Sequence, residues 1–293
     1  MRKKNKNISD ITFKDAKNYL INERYKIKKQ IQSFIDLPEK MFAEMAPVFS
    51  VSTGRAGSEL LEKLMNESKI GNVYHEARPL MYYGSKLVFE TNQDIKSIQI
   101  AYLNARYDLL KKAYLEECRY IETNNRNTFF IRALSELFPK SKFIHLVRHP
   151  GDFVRSGIRR KYYKGNEYDD SRLTPIVIEE AYNNWNEFSD IEKIGWLWNT
   201  TNNFIEKEKL HLTADRVLLI KSEDLFSKPE TYNKICKFIN EPTPKDSIIK
   251  SIIKRPTNKQ KQNSYPKWND WNENDKQLLI KMTPLGTKYG FWN

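Results

Sequence analysis

Two stretches of this chain combine residue types that hold anions. The first reads Ser52-Thr53-Gly54-Arg55-Ala56-Gly57-Ser58-Glu59-Leu60-Leu61 and leaves a short β-branched and aromatic run, Pro47 to Ser52. Two glycines flanking a cation let the backbone curl, and a helix starting behind them aims unpaired N–H groups and its positive dipole end into the curl. The second reads Phe143-Ile144-His145-Leu146-Val147-Arg148-His149-Pro150-Gly151-Asp152-Phe153-Val154-Arg155-Ser156. Here an extended run ends in Arg148, Pro150 breaks it, and a helix carrying Ser156 follows. A guanidinium and a helical hydroxyl can hold a further phosphate by charge-assisted hydrogen bonds. Two anion sites at two strand ends suit one nucleotide with phosphates at both ends. An ordinary strand-to-helix turn would use the same glycines, and Arg148 could equally pair with an acid such as Asp152. The first loop lacks the Gly-Lys-Ser/Thr ending that a magnesium-dependent triphosphatase loop needs, because its cation, Arg55, precedes the second glycine.

These residues need a scaffold that brings strand ends together. Short apolar runs fall at Pro47 to Ser52, Asn72 to Glu76, Cys118 to Glu122, Lys142 to Val147 and Arg216 to Lys221. Stretches long enough for helices separate them, such as Ser58 to Ser68, Asn127 to Phe138 and Gly151 to Tyr163. Strands alternating with helices imply parallel pairing with crossovers, hence a three-layer α/β/α domain with a central, mostly parallel sheet. Ligands in such sheets bind beyond the carboxyl ends of the strands. Residues 1–45 read as a basic helical arm ending near Pro38, with apolar positions Phe13, Ala16, Leu20, Ile27, Ile31 and Phe34 at helical intervals. Residues 46–293 form the domain.

In this setting the two anion-holding stretches resemble the paired nucleotide motifs of the sulfotransferase family, of carbohydrate or bacterial type, whose members use 3′-phosphoadenosine 5′-phosphosulfate (PAPS). STGRAGSELL is similar to the family's P-loop-like 5′-phosphosulfate loop, and LVRHPGDFVRS to its 3′-phosphate motif. Tyr120 to Pro150 has the family's layout of acidic strand end, helix closing in Phe-Pro, and Arg strand; Arg216 to Pro229 resembles its late strand with Glu-Asp-Leu. The resemblance implies that Arg55, Ala56, Gly57 and Ser58 wrap the phosphosulfate, with Glu59 in the same helix turn. It implies that Arg148 and Ser156 hold the 3′-phosphate, and that a basic loop carrying Arg255, Lys259 and Lys261 closes over the nucleotide. Ala56 and Glu59 depart from the family's hydroxyl residues, and Glu59 is expected to turn away, towards Arg78 or Arg55. The family's Glu-Lys-Thr-Pro is here Glu122-Thr123-Asn124-Asn125, so another cation must complete the site.

Sulfuryl transfer needs an acceptor oxygen in line with the leaving phosphate, a base, and cations for the charge on the bridging oxygen. Arg55 can supply charge and is the third catalytic candidate beside two bases. Glu76, at the end of the second strand where many carbohydrate-type members place a Glu, is the first choice and His75 the second, close to the loop if the first two strands are neighbours. Strand alternation puts His75 on the opposite face, unless the strand has already ended there and the chain turned. Glu122 is a further candidate. Equally, Glu76 could pair with Arg78 and His75 could pack in the core. The acceptor pocket is expected around Tyr82, Tyr83 and helices between residues 160 and 205, although most aromatics there (Tyr162, Tyr163, Tyr182, Trp185, Trp196, Trp198) are expected in the core.

Composition narrows the partners. The 293 residues carry a net charge of +13, clustered as +5 over residues 1–45, +5 over 140–172 and +6 over 245–267. Such clusters call for anionic partners. The donor nucleotide and a hydroxyl-bearing glycan, lipid or small molecule (or an amine) are expected, with anionic membrane as a candidate contact of the basic arm and no nucleic acid. Aromatics at 13% exclude a disordered chain, and two cysteines exclude a disulfide framework or a four-thiolate zinc site. No apolar run reaches membrane-spanning length and no export signal is evident, so a cytoplasmic enzyme without a metal is expected. A nucleotide kinase on a shared fold and a non-catalytic binder of nucleic acid or membrane are the competing readings, the latter through charge and Lys161-Tyr162-Tyr163-Lys164. With no hydroxyl after a Lys in the loop, turnover is expected to survive EDTA. A loss that magnesium restores would favour the kinase.

Overall fold

The computed structural model describes residues 17, 19–24, 37–91, 93–255 and 265–292. At its centre are five strands: β1 (Val48–Val51), β2 (Asn72–His75), β3 (Tyr120–Thr123), β4 (Lys142–Val147) and β5 (Val217–Lys221). Each lies within, or within a residue of, one of the apolar runs of the sequence. They form one sheet in the order β2-β3-β1-β4-β5, with every pair parallel. Parallel neighbours require crossovers, and the helices that make them cover both faces. The helices before, between and after the strands include α1 (Leu37–Glu44), α2 (Ser58–Glu67), α3 (Tyr82–Glu90), α4 (Ile95–Leu115), α5 (Ile131–Leu137), α6 (Pro150–Arg159), α7 (Asp190–Glu208), α8 (Ser222–Ser227), α9 (Pro229–Phe238), α10 (Asp246–Ile253) and α11 (Glu273–Met282).

Side-chain alternation along the strands splits the core in two. Phe49, Tyr120, Phe143 and Val147 meet Leu110 of α4, Leu134 of α5, Phe153 of α6 and Trp198 of α7. Val48, Ile121, Ile144 and Leu146 point the other way, into Leu61 of α2, Ile235 of α9 and Ile249 of α10. Local signals set the helix starts. Ser189 and Glu192 form a reciprocal capping box on α7. Pro150 occupies the first turn of α6, where a missing N–H costs nothing, and His149 Nδ1 accepts from Gly151 N at 3.1 Å.

The register brings the carboxyl ends to one edge: His75 lies beside Thr123, Thr123 beside Ser50, Val51 beside His145, and Val147 beside Lys221. One expectation fails. The first two strands are not neighbours, because β3 is inserted between β1 and β2; β2 reaches the loop after β1 only because all strand ends share an edge.

Other boundaries also shift. The stretch Asn127 to Phe138, read as long enough for helix, holds most of a 3₁₀ segment, Asn125–Phe130, and then α5. α6 stops at Arg159, and positive φ at Lys161 and Tyr163 turns the chain out of helix. Pro38 sits in the first turn of α1, whose Met41 joins the core together with Met45 just beyond the helix. Most of the expected arm lies outside the described residues. Among the described residues no helix is long and apolar enough to cross a membrane.

One buried ion pair anchors the sheet edge. Arg106 of α4 donates Nε to Glu122 Oε1 at 3.0 Å, with Nη2 at 2.9 Å, and both side chains are 0% exposed. The other carboxylate oxygen accepts the hydroxyls of Tyr102 at 2.8 Å and Tyr120 at 3.0 Å. Burial first, and the charge of Glu122 second, raise the pKa of both tyrosines well above normal. Replacing Arg106 by Leu would strand a buried carboxylate, so a loss of about 3–5 kcal/mol is expected in urea denaturation. The double variant Arg106→Leu/Glu122→Leu is expected to recover much of it, and an unchanged midpoint in the single variant would contradict the assignment.

Candidate active site

The loop between β1 and α2 is an anion cradle by backbone geometry. Gly54, Arg55 and Gly57 have φ of 79°, 55° and 96°, so successive amides turn towards a common centre at the start of α2. Glycine suits two of these positions; at Gly57 a Cβ would also stand 3.0 Å from the Phe226 ring. Neighbouring strand ends fix the loop. Thr128 Oγ1 accepts from Ser52 N at 2.9 Å and donates to Ser52 O at 3.0 Å. Ser222 Oγ, just after β5, lies 2.7 Å from Ala56 O and 3.1 Å from Val147 O. Arg148 Nη1, just after β4, donates to Arg55 O at 2.8 Å.

The loop opens into a cavity of about 700 Å³ lined by six arginines, Arg55, Arg126, Arg148, Arg160, Arg172 and Arg255, and by two carboxylates, Glu59 and Glu76. Of these arginines, Arg172 alone has a carboxylate within 4 Å among the described residues, namely Asp169 at 3.0 Å. The Nε atoms of Arg55, Arg126 and Arg148 are shielded from solvent and have no hydrogen-bond partner among the described residues. Burial lowers the pKa of Arg148, partly offset by Asp152 and Glu223. Burial, then the nearby charge of Arg55, lowers that of Arg160. Like charges held this close in a desolvated pocket are stabilised by a bound anion.

Most of the residues singled out in the sequence meet here. Arg55, Gly57, Ser58, Glu59, His75, Glu76, Arg148 and Arg255 line the cavity. Ala56 is buried, so it faces a ligand only through its backbone. Ser156 is buried, outside the lining, and its hydroxyl lies 3.5 Å from Nη1 of Arg160, the residue that caps the end of α6. Lys259 and Lys261 lie outside the described residues. Glu59 pairs with Lys63, Oε1 to Nζ 3.3 Å, where Arg78 or Arg55 was expected. Glu122 is removed from the list of bases, since its carboxylate is sealed in the Arg106 pair.

His75 and Glu76 enter the cavity together, the outcome expected if the strand has ended and the chain turned. β2 ends at His75 and Glu76 takes φ 47°, so the pleat no longer applies to it. His75 Nδ1 lies 2.7 Å from Thr123 O, which only an Nδ1–H can satisfy; in the neutral ring Nε2 is then the free acceptor. Glu76 acts at a distance on Tyr82, whose pKa burial raises first and Glu76 second.

Lining residues that were not singled out include Arg126, Arg160, Arg172 and Tyr168. Arg160 follows Ser156 by one helical turn, a spacing visible in the sequence. Arg126 follows the strand end where the family's Lys is missing, and supplies a cation there. Of the expected acceptor aromatics, Tyr82 and Tyr162 line the cavity, while Trp196 and Trp198 are core. Tyr83 is exposed.

Residues 81–245 match the sequence profile of the Sulfotransferase family, more than half of the chain. The chain belongs to the sulfotransferase family. The matched segment holds Arg126, Arg148 and Arg160 but begins after the loop, so the cradle of this sulfotransferase rests on its own geometry. Solved structures similar to it include the sulfotransferase domain from the curacin biosynthetic pathway, 19% identical over 70% of this chain and 77% of that one, TM-score 0.43. Another is the sulfotransferase domain of the Synechococcus PCC 7002 olefin synthase, 18% identical over 82% and 88%, TM-score 0.42. A third is a sulfotransferase from Alicyclobacillus acidocaldarius, 14% identical over 70% and 86%, TM-score 0.44. No curated protein matches the chain. Among the described residues no group of three or more His, Cys, Asp or Glu is placed to hold a metal ion.

Proposed function

We propose that this sulfotransferase takes its sulfuryl group from PAPS and delivers it to a hydroxyl, or an amine, of a glycan, lipid or small molecule. The observation that supports the donor is the convergence of Arg55, Arg148 and Arg160 on a curled loop at the head of α2, with shielded Nε atoms left unmet at the first two. The backbone from Arg55 to Ser58 would hold the 5′-phosphosulfate, and Arg148 with Arg160 the 3′-phosphate. Ser156 would set Arg160 rather than touch the nucleotide. Phe226 and Arg255, both at the cavity wall, would flank the nucleoside, with Lys259 as a further contact. PAPS, when bound, supplies the sulfuryl group and a phosphate leaving group.

Glu76 takes the acceptor hydroxyl's proton as the oxygen bonds to sulfur and the sulfur–oxygen bond to the phosphate breaks. Arg55 and the loop amides hold the charge that the phosphate oxygen gains; an arginine cannot act as the acid. His75 is the second base, favoured by its fixed tautomer. The two cysteines, exposed Cys118 and buried Cys236, are free, which suits a cytoplasmic setting.

The deciding experiment is thermal stabilisation by 3′-phosphoadenosine 5′-phosphate (PAP), set against ATP; a response to ATP with magnesium alone would overturn the donor. Arg148→Ala is expected to weaken PAP about tenfold or more, from loss of a charge-assisted contact of about 1.5–3 kcal/mol, and adenosine 5′-phosphosulfate much less. Equal losses would move Arg148 off the 3′-phosphate.

Glu76→Gln keeps the side chain's shape and removes the proton acceptor. Turnover is expected to fall about a hundredfold while PAP affinity barely changes. An active Glu76→Gln beside a dead His75→Ala would transfer the role to His75.

A further inference from the structure

The cavity's arginines divide into two groups, and the donor accounts for one. Arg55, Arg148 and Arg160 stand with the loop. Arg126 faces the other way, towards α3 and the segment after α6. Its Nη1 donates to Ser171 O at 3.3 Å and Ser85 Oγ at 3.5 Å, and its guanidinium carbon lies 4.5 Å from the centre of the Tyr82 ring. The Nε–Nη2 edge of the fork has no acceptor among the described residues, and Nε is shielded from solvent. Arg172 lies flat on Tyr162, 3.5 Å from the ring centre, and is held by Asp169. Its charge is therefore largely answered, whereas Arg126 has no carboxylate within 4 Å. Burial drives the Arg126 pKa down to about 10, with Arg172 acting in the same direction and Tyr82 and Glu76 opposing. It remains charged at neutral pH.

We infer that the acceptor itself carries an oxyanion, which Arg126 receives between Tyr82 and Arg172. The inference rests on the sulfotransferase reading, since Arg126 shares its side of the cavity with the proposed base Glu76. The unmet Nε–Nη2 edge of a guanidinium fork offers two parallel N–H groups, the geometry that a planar carboxylate completes once it displaces what shields Nε. Acceptors of this class are hydroxyl compounds bearing a carboxylate, such as uronic acid glycosides and hydroxy acids. A sulfate or phosphate ester offers the same charge in a tetrahedral form.

The test uses acceptors that differ only in charge: 4-nitrophenyl β-D-glucuronide against 4-nitrophenyl β-D-glucoside and its 6-sulfate, within a library pairing hydroxy acids with their methyl esters. Transfer from PAPS is read as PAP released, and binding as a further thermal shift of the PAP complex. Anionic members are expected to exceed their neutral partners at least tenfold in kcat/KM or in affinity. Arg126→Gln is expected to bring that ratio close to one, mainly through KM, while keeping its PAP-induced thermal shift as proof of fold. A lead for the 6-sulfate over the glucuronide would reassign the anion from carboxylate to ester. Equal use of charged and neutral members, no response to any anionic member, or equal losses on both in Arg126→Gln would overturn the inference. That last result would place Arg126 on the sulfuryl group. Failure of PAP to stabilise the wild type is a separate result, against the donor reading.

Discussion

Five guanidinium groups that face one cavity, those of Arg55, Arg126, Arg148, Arg160 and Arg255, have no carboxylate within 4 Å among the described residues. The rest of the site follows from that. Gathering like charges out of water is unfavourable, and ion-pairing each one internally would cancel the field that a ligand needs. The chain instead holds Arg55, Arg126 and Arg148 by backbone position, carbonyls, hydroxyls and ring faces, and leaves their Nε atoms unmet. Elsewhere it treats arginine differently. Arg216 spends itself on the carbonyls of Ser135, Phe138 and Ser141 at 3.0–3.1 Å, and Arg106 on Glu122. Where an arginine's task is structural it is answered from within; in the cavity it is not.

Such a site must be rigid before its ligand arrives, or the arginines would swing out to water. The loop is accordingly tied to three other segments, through Thr128 after β3, Arg148 after β4 and Ser222 after β5. Each tie uses a loop carbonyl as acceptor; the amides of Ser52 and Gly54 are spent on Thr128 Oγ1 and Ser52 Oγ, and those from Arg55 to Ser58 have no acceptor among the described residues. A parallel sheet is the scaffold that allows this, because it delivers every strand's carboxyl end to the same edge. Preorganised donors of this kind need no rearrangement as charge develops on a leaving oxygen.

The strands were legible because a doubly covered parallel sheet demands continuous apolar runs, and Phe143-Ile144-His145-Leu146-Val147 is one even with a His buried in it. Strand order was not legible: nothing in the stretch between Tyr74 and Tyr120 announces that β3 will separate β2 from β1. The loop could be read from Gly54 and Gly57, whose backbone requirement is written in their residue type. Arg160 could have been found from its helical spacing to Ser156. Arg126 and Arg172 could not, since a 3₁₀ segment and an irregular stretch carry no periodicity to say which way a side chain points. Half of the donor side was therefore visible, and the cations of the acceptor side were not.

The same limit explains Glu76. Strand alternation places His75 and Glu76 on opposite faces, and it fails because Glu76 adopts left-handed backbone with φ 47° immediately after β2. For a residue with a Cβ that conformation costs about 1–2 kcal/mol, and it persists only where surrounding contacts determine it. Arg55, in the donor loop, holds a similar φ of 55°. One strained residue thus stands on each side of the cavity: Arg55, proposed to carry the cation for the leaving group, and Glu76, proposed to carry the carboxylate for the entering one. In both cases the backbone departs from its ordinary wells where the chemistry requires a charge to be aimed, and a reading built on regular periodicity misses the residue's direction at just those places.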